Sequence, residues 1–147
     1  MNDMRQIKLI TNSLIKEKEK YLYELSKLNT TITNKISTID KMKSYQNDYL
    51  NSYNLNLSKS IPGLNMNINL FVKKIDMVID QAKFEVNTLQ QIRESLLVTI
   101  DNINKKIDMM SIFESKQQEE MRVKEEKQEQ IMLDDMSMTM DIRREDE

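Results

Sequence analysis

Carboxylates are the side chains of this protein best able to do chemistry, because histidine and cysteine are both absent from its 147 residues. The chain therefore lacks the neutral-pH proton shuttle, the thiol nucleophile and the Cys/His zinc ligands. With a single glycine it cannot build a glycine-rich phosphate loop. Asp134 and Asp135 are adjacent, but a metal ion needs further converging oxygens, which this segment does not offer. The sequence predicts a non-enzymatic protein without metal or cofactor.

Aromatic side chains recur every four residues in the first half of the chain, at Tyr45, Tyr49 and Tyr53. This spacing places them on one face of a helix. They either fill a helix–helix core or form an exposed surface for a partner protein. Met42 and Tyr45 cannot both share the core face with Tyr49, so part of this surface must face outward.

Methionines recur at the same spacing near the end of the chain, at positions 132, 136 and 140. One interpretation is a frayed tail. The other is an adaptable helix that packs into another protein, since methionine conforms to irregular grooves. The sequence leaves both open.

Only Pro62 and Gly63 interrupt the helical pattern, and they are the single proline and the single glycine of the chain. Proline and glycine together end a helix and start a turn. Before the turn, apolar residues recur in steps of three and four: Ile7, Ile10, Leu14, Tyr21, Leu25, Leu28, Ile32, Ile36, Ile39, Met42, Tyr49 and Tyr53. We call such a line of apolar residues a seam.

A second seam follows the turn, and its average step of 3.5 residues favours a left-handed coiled coil. Its members are Ile68, Phe71, Ile75, Val78, Ala82, Leu89, Ile92, Leu96, Ile103, Ile107 and Met110. A strand is excluded, because this region lacks a sustained two-residue alternation. The fold class is therefore predicted to be all-α, a long antiparallel two-helix coiled-coil hairpin with a projecting C-terminal helix.

The position of the turn sets the predicted domain organisation. A single coiled-coil domain contains a first helix over residues 1–57, a turn over 58–66 and a paired second helix over 67–118. Residues 119–147 then have no partner within the chain, because the first helix is too short to reach them. We call this segment the C-terminal overhang.

Folding about Pro62-Gly63 also predicts which residues face each other. Paired residues have numbers that add up to about 124 if the turn is centred there. Tyr49 is then opposite Ile75, and Tyr53 is opposite Phe71.

The charge pattern gives no sign of a nucleic-acid partner. Residues 119–147 hold 5 basic and 11 acidic residues, and the rest of the chain holds 17 and 13. No basic cluster is interleaved with aromatic residues. The N-terminus shows no signal-peptide core, and no apolar stretch is long enough to span a bilayer. We expect a soluble, cytoplasmic protein.

Two short motifs lie far apart in the chain, YQNDY at residues 45–49 and EQIMLDD at residues 129–135. Both resemble elements of the flagellar FliJ family. YQNDY at residues 45–49 is similar to the family's Y-x-x-E-Y element. EQIMLDD at residues 129–135 is similar to its C-terminal E-Q-x-x-[LM]-D-E element. Between them, the Ile61-Pro62-Gly63 turn, Phe71 and Ile79-Asp80-Gln81 follow in the family's order. The resemblance spans most of the chain.

The resemblance implies a cytoplasmic stalk of the flagellar type III export apparatus, held at the inner membrane only through its partners. Those partners are the hexameric export ATPase, the cytoplasmic domain of the export-gate membrane protein, and export chaperones. It implies that the gate protein contacts Met42, Tyr45, Tyr49, Phe71 and Ile75. It implies that the ATPase contacts Glu129, Gln130 and Leu133.

Three other functions fit a helical hairpin of this size. The nearest is the equivalent stalk of a virulence type III secretion system, which shares shape and kinds of partner. A secretion chaperone is also small and helical, but such chaperones form compact, often dimeric bundles. A generic structural coiled coil would need no export role at all.

Overall fold

The computed structural model consists of two long α-helices. It describes the backbone of residues 2–56 and 64–145 and the side chains of residues 3–52 and 67–144. Helix α1 spans Asn2–Asn56, and helix α2 spans Leu64–Glu145. Every described residue is helical, so the predicted all-α helical hairpin is confirmed. Pro62 and Gly63 lie outside the described residues.

Contacts between Cα atoms divide the chain into two compact units, and each unit contains part of both helices. One unit is Glu19–Asp101, and the other combines Met1–Lys18 with Asn102–Glu147. The residues predicted to contact the gate protein lie in the first unit. Those predicted to contact the ATPase lie in the second.

Neither helix contains a proline or a glycine, so nothing breaks its backbone hydrogen bonding. Seven threonine hydroxyls donate to the carbonyl oxygen four residues earlier in the same helix. Thr11 donates to Ile7, and Thr139 donates to Asp135, each at 2.8 Å. None of the described helical residues forms a segment long and apolar enough to cross a bilayer.

Within the unit Glu19–Asp101, three cross-helix contacts show that α1 and α2 run antiparallel. Lys35 contacts Glu85 at 2.6 Å, and Gln46 donates to Asp76 at 2.6 Å. Further along α1, the Tyr49 ring packs on Phe71, with 4.5 Å between centroids. Residue numbers fall along α2 as they rise along α1.

The predicted register is wrong by about one helical turn. Phe71 packs against Tyr49, although the prediction places Tyr49 opposite Ile75. The reason is the start of α2 at Leu64, which makes residues 64–66 helical although the sequence places them in the turn. The end of α1 at Asn56 and the start of α2 at Leu64 are equally far in sequence from a point before Pro62. The predicted pairing of Tyr53 falls on a side chain outside the described ones.

Most buried and half-buried positions of both helices follow a heptad, with alternating steps of three and four residues. The buried or half-buried positions of α1 on this pattern are Met4, Ile7, Thr11, Leu14, Lys18, Tyr21, Leu25, Leu28, Ile32, Lys35, Ile39, Met42 and Gln46. Those of α2 are Ile68, Val72, Ile75, Ile79, Ala82, Val86, Leu89, Arg93, Leu96, Ile100, Ile103, Ile107, Met110, Glu114 and Gln117. This periodicity is that of a left-handed coiled coil.

Five members of the predicted seams are exposed instead: Ile10, Ile36, Tyr49, Val78 and Ile92. Ile79 is 4 % exposed, whereas its neighbour Val78 is 49 % exposed. Two helices stay in contact only if the period of 3.5 residues is kept without a slip. The packing therefore accepts polar residues such as Thr11 and Lys35 on the seam and leaves the adjacent isoleucine outside.

The core of the unit Glu19–Asp101 is a narrow cluster of aliphatic side chains. Its buried members are Ile32, Ile39, Ile79 and Val86, and the half-buried residues packed around them are Leu28, Met42, Ile75, Ala82 and Leu89. Burial of such side chains is the main favourable contribution to folding. Because this core is thin, each buried isoleucine contributes a large part of the total favourable free energy of burial.

An ion pair between Lys35 and Glu85 joins the two helices in this unit. The Lys35 Nζ atom donates to Glu85 Oε2 at 2.6 Å, and both side chains keep partial contact with solvent. The hydrogen bond and charge of Lys35, with a smaller contribution from Gln81, lower the pKa of Glu85 below its ordinary value of 4.5. The folded chain thus favours the ionised carboxylate.

This lowered pKa predicts how the substitution Glu85→Gln changes the pH dependence of stability. A carboxylate with a depressed folded pKa stabilises the fold above pH 4.5, and that contribution is lost as the pH falls through the folded pKa. When the pH is lowered from about 6 to about 3, we expect the urea midpoint of the wild type to drop more than that of the variant. Equal drops in both proteins would contradict a stabilising role of the pair.

Candidate partner-binding surfaces

A surface groove between α1 and α2 gathers four of the five residues predicted to contact the gate protein. It has a volume of about 490 Å³. Each helix contributes four residues with the spacing i, i+3, i+4, i+7, which is one helical face. The lining residues are Thr38, Lys41, Met42 and Tyr45 from α1 and Phe71, Lys74, Ile75 and Val78 from α2. We call these eight residues the aromatic groove.

The fifth predicted residue, Tyr49, lies beside the groove in a cluster of three aromatic rings. Its ring centroid is 4.5 Å from that of Phe71, at a tilted angle of 36°. Tyr45 meets Phe71 edge-on, with 6.4 Å between centroids and an angle of 61°. Both distances are typical of favourable aromatic contacts, so Phe71 is held between the two tyrosines.

Exposure divides these residues between core and surface. Tyr45 is 60 % exposed and Tyr49 is 37 % exposed, whereas Met42, Phe71 and Ile75 are half-buried. The inner residues therefore help to hold the helices together, and Tyr45 presents most of its ring to solvent. Both interpretations of the aromatic repeat describe part of this cluster.

Half of the residues that line the groove were not predicted from the sequence. Thr38 and Lys41 on α1, and Lys74 and Val78 on α2, were outside the predicted site. A signal was present: each lies three or four residues from a predicted member, on the same helical face. Lysine is not expected at such a site because its charge marks it as solvent-facing, although its long stem can cover apolar surface.

The C-terminal overhang presents a helix without a covering partner in the described chain. Every described side chain from Gln118 to Arg144 is exposed. This includes the three residues predicted to contact the ATPase, Glu129, Gln130 and Leu133, and the methionines at 132, 136 and 140. A helix with so much exposed apolar surface is suited to binding another protein.

Local charge pairs stabilise the overhang as a helix. Arg122 contacts Glu119 at 2.7 Å and Glu126 at 2.6 Å, three residues before it and four after it. The hydrogen bond to Arg122 lowers the pKa of Glu119, and the same contact raises the pKa of Arg122. Such pairs support a solvent-exposed helix that has little tertiary packing.

Metal binding finds no support in the described residues. Asp134 and Asp135 are both exposed, and the described helices contain no group of three or more acidic side chains that could hold a metal ion. Asp134 instead accepts a long hydrogen bond of 3.5 Å from Gln130.

The comparison with protein families decides what kind of protein carries these two surfaces. The model of the family described as Flagellar FliJ protein matches residues 4–146. The chain belongs to the FliJ family. No curated protein matches it, and no solved structure matches it. The predicted family is thus confirmed over nearly the whole length.

Membership in the FliJ family identifies the protein as a component of the flagellar export apparatus. FliJ proteins are non-enzymatic parts of that apparatus. Since the match is to a flagellar family, it favours the flagellar assignment over the virulence stalk, the secretion chaperone and the generic coiled coil.

Proposed function

We propose that this FliJ-family protein is a coupling stalk that binds two different parts of the flagellar type III export apparatus. The aromatic groove, together with Tyr49, binds the cytoplasmic domain of the export-gate protein. The C-terminal overhang binds the hexameric export ATPase and stimulates it. Export chaperones are a third class of partner. The protein acts in the cytoplasm, at the inner membrane, and is held there by its partners.

The observation that carries the gate proposal is the exposed aromatic surface beside the groove. Tyr45 and Phe71 border an apolar cavity between the two helices, and Tyr45 keeps 60 % of its surface exposed. Tyrosine is enriched at the energetic centres of protein interfaces, because it buries a large ring at low conformational cost. A partner that covers Tyr45 removes this apolar surface from water.

The corresponding experiment replaces both tyrosines, Tyr45→Ala and Tyr49→Ala, in the full chain. We expect binding to the purified cytoplasmic domain of the gate protein to weaken about 30-fold, the effect of losing an interface centre. Isothermal titration calorimetry measures the affinity. Binding to the ATPase, measured in parallel, is expected to stay unchanged.

Two controls separate a lost contact from a lost fold. The double variant Tyr23→Ala and Phe84→Ala removes two exposed aromatic rings from the same helices, away from the groove. It is expected to bind the gate domain as the wild type does. Circular dichroism must show that the tyrosine variant keeps its helix content, since Tyr49 also packs on Phe71. A melted hairpin would mean that the tyrosines serve the core, and unchanged affinity would remove the gate proposal.

The proposal for the overhang has a different basis. Its helix is covered by nothing in the described chain, and it carries apolar residues such as Leu133 beside acidic ones. A single helix of this kind suits insertion between subunits of a larger assembly. The EQIMLDD motif, which resembles the family's C-terminal element, lies within it.

A further inference from the structure

The aromatic groove carries a charge pattern that its apolar character does not explain. Five of the lining residues are apolar or aromatic, and the remaining three are Thr38, Lys41 and Lys74. One lysine comes from each helix, and no carboxylate lines the groove. The groove is thus apolar inside and cationic on both walls.

Neither of these lysines forms an ion pair with a described residue, in contrast to Lys35, which is bound to Glu85. Both residues are exposed. Their aliphatic stems can cover the apolar wall while the ammonium groups stay at the rim in water. Two positive charges therefore lie at the edge of a surface from which a bound partner must displace water.

We propose that the aromatic groove binds an acidic amphipathic segment of the gate protein, with carboxylates on both sides of a bulky apolar side chain. The apolar side chain enters beside Tyr45 and Phe71, and the carboxylates reach Lys41 and Lys74. This inference rests on the proposed function, in which the groove is the gate-binding surface. It adds the chemistry of the partner segment.

The size and the charge of the groove both lead to this partner. A volume near 490 Å³ holds a few side chains, so one short segment fills it. Bringing a protein against the rim removes water from the two lysines, which costs free energy unless opposite charges replace it. A neutral or basic segment would leave both ammonium groups unpaired, whereas an acidic one pairs them and also speeds association.

The test reverses both charges in the full chain, Lys41→Glu and Lys74→Glu, and measures binding to the purified gate cytoplasmic domain by calorimetry. We expect affinity to fall about tenfold or more at low salt. The affinity of the wild type should decrease with rising salt, and that of the variant should change less or increase, because salt screens attraction and repulsion alike.

A matched control reverses two other lysines, Lys43→Glu and Lys73→Glu. They lie on the same two helices and are exposed, but they do not line the groove. This control is expected to bind the gate domain within a factor of about two of the wild type, as for charges outside a contact. Equal losses of affinity in the Lys41/Lys74 variant and the Lys43/Lys73 variant would overturn the inference, because the effect would then come from net charge alone.

Comparison with the tyrosine variant separates the inference from the function on which it rests. If the tyrosine variant loses gate binding and the Lys41/Lys74 variant binds normally, the groove binds the gate but the acidic segment is wrong. If neither variant loses binding, the gate-binding function itself fails, and the inference with it. If sedimentation shows a dimer of this chain that the Lys41/Lys74 variant abolishes while gate binding persists, the occupant is a second copy and the inference is overturned.

Discussion

Replacing Glu129, Gln130 and Leu133 together by alanine is expected to reduce stimulation of the export ATPase to its unstimulated rate. The three side chains are exposed on neighbouring positions of one face of the overhang, so no fold contact is lost with them. Alanine also favours the helix, which keeps the backbone in place. Steady-state ATP hydrolysis by the purified ATPase, with and without the variant, measures the effect. Deletion of residues 119–147 is expected to give the same result.

The overhang offers a control of matched composition on its opposite face. Gln128, Ile131 and Asp135 are also one amide, one aliphatic and one acidic residue, and all three are exposed. Their replacement by alanine is expected to leave stimulation within a factor of about two of the wild type, as for surface positions outside an interface centre. Full stimulation by the chain lacking residues 119–147 would refute a role of the overhang in ATPase binding.

The substitution Ile39→Ala is expected to lower the free energy of unfolding by about 2–4 kcal/mol, the cost of a cavity in a packed core. Ile39 is 5 % exposed and belongs to the buried cluster with Ile79. The thin core leaves few neighbours to close around the gap. Urea unfolding followed by circular dichroism measures the change, and an unchanged slope with denaturant shows that the midpoint reports stability.

Ile36→Ala is the matched control, since it makes the same substitution three residues earlier on the same helix. Ile36 is 40 % exposed, so the expected loss is below about 1 kcal/mol, the usual range for surface positions. The change in helix propensity is identical and cancels between the two variants. Equal losses at Ile36 and Ile39 would contradict the heptad of the burial pattern, which places Ile39 in the core and Ile36 outside it.

This pair of isoleucines also shows how far the sequence predicts the fold. Two long helices with one turn follow from the absence of proline and glycine elsewhere and from the steps of three and four. The choice of Lys35 rather than Ile36 for the seam position does not follow from the sequence, because the more apolar residue is the better core candidate. Only the pairing with α2 shows that Lys35 can take a seam position, where its charge is bound by Glu85.

The register is a second limit, and its cause is different. The turn residues suggest a centre at Pro62-Gly63, but the observed pairing depends on where α2 begins. Leu64 is already helical, and Phe71 packs on Tyr49. A heptad allows several registers with similar apolar contact, so the spacing alone does not select one. In the observed register Gln46 donates a hydrogen bond to Asp76.

The candidate site was partly predictable, because residue spacing indicates which side chains share a helical face. Spacing placed Met42, Tyr45, Phe71 and Ile75 on faces that could meet, and the structure brings all four to one groove. The lysines on its walls follow the same spacing but not the expected chemistry. The identity of any partner cannot be read from spacing at all and rests on the family resemblance.

The central claim is that two separate surfaces bind two separate partners. Its most direct test measures both affinities, for the gate cytoplasmic domain and for the ATPase, with two variants of the full chain. The tyrosine variant at positions 45 and 49 is expected to lose only gate binding. The variant at positions 129, 130 and 133 is expected to lose only ATPase binding. Loss of both partners in either variant, or of neither partner in both, would contradict the account.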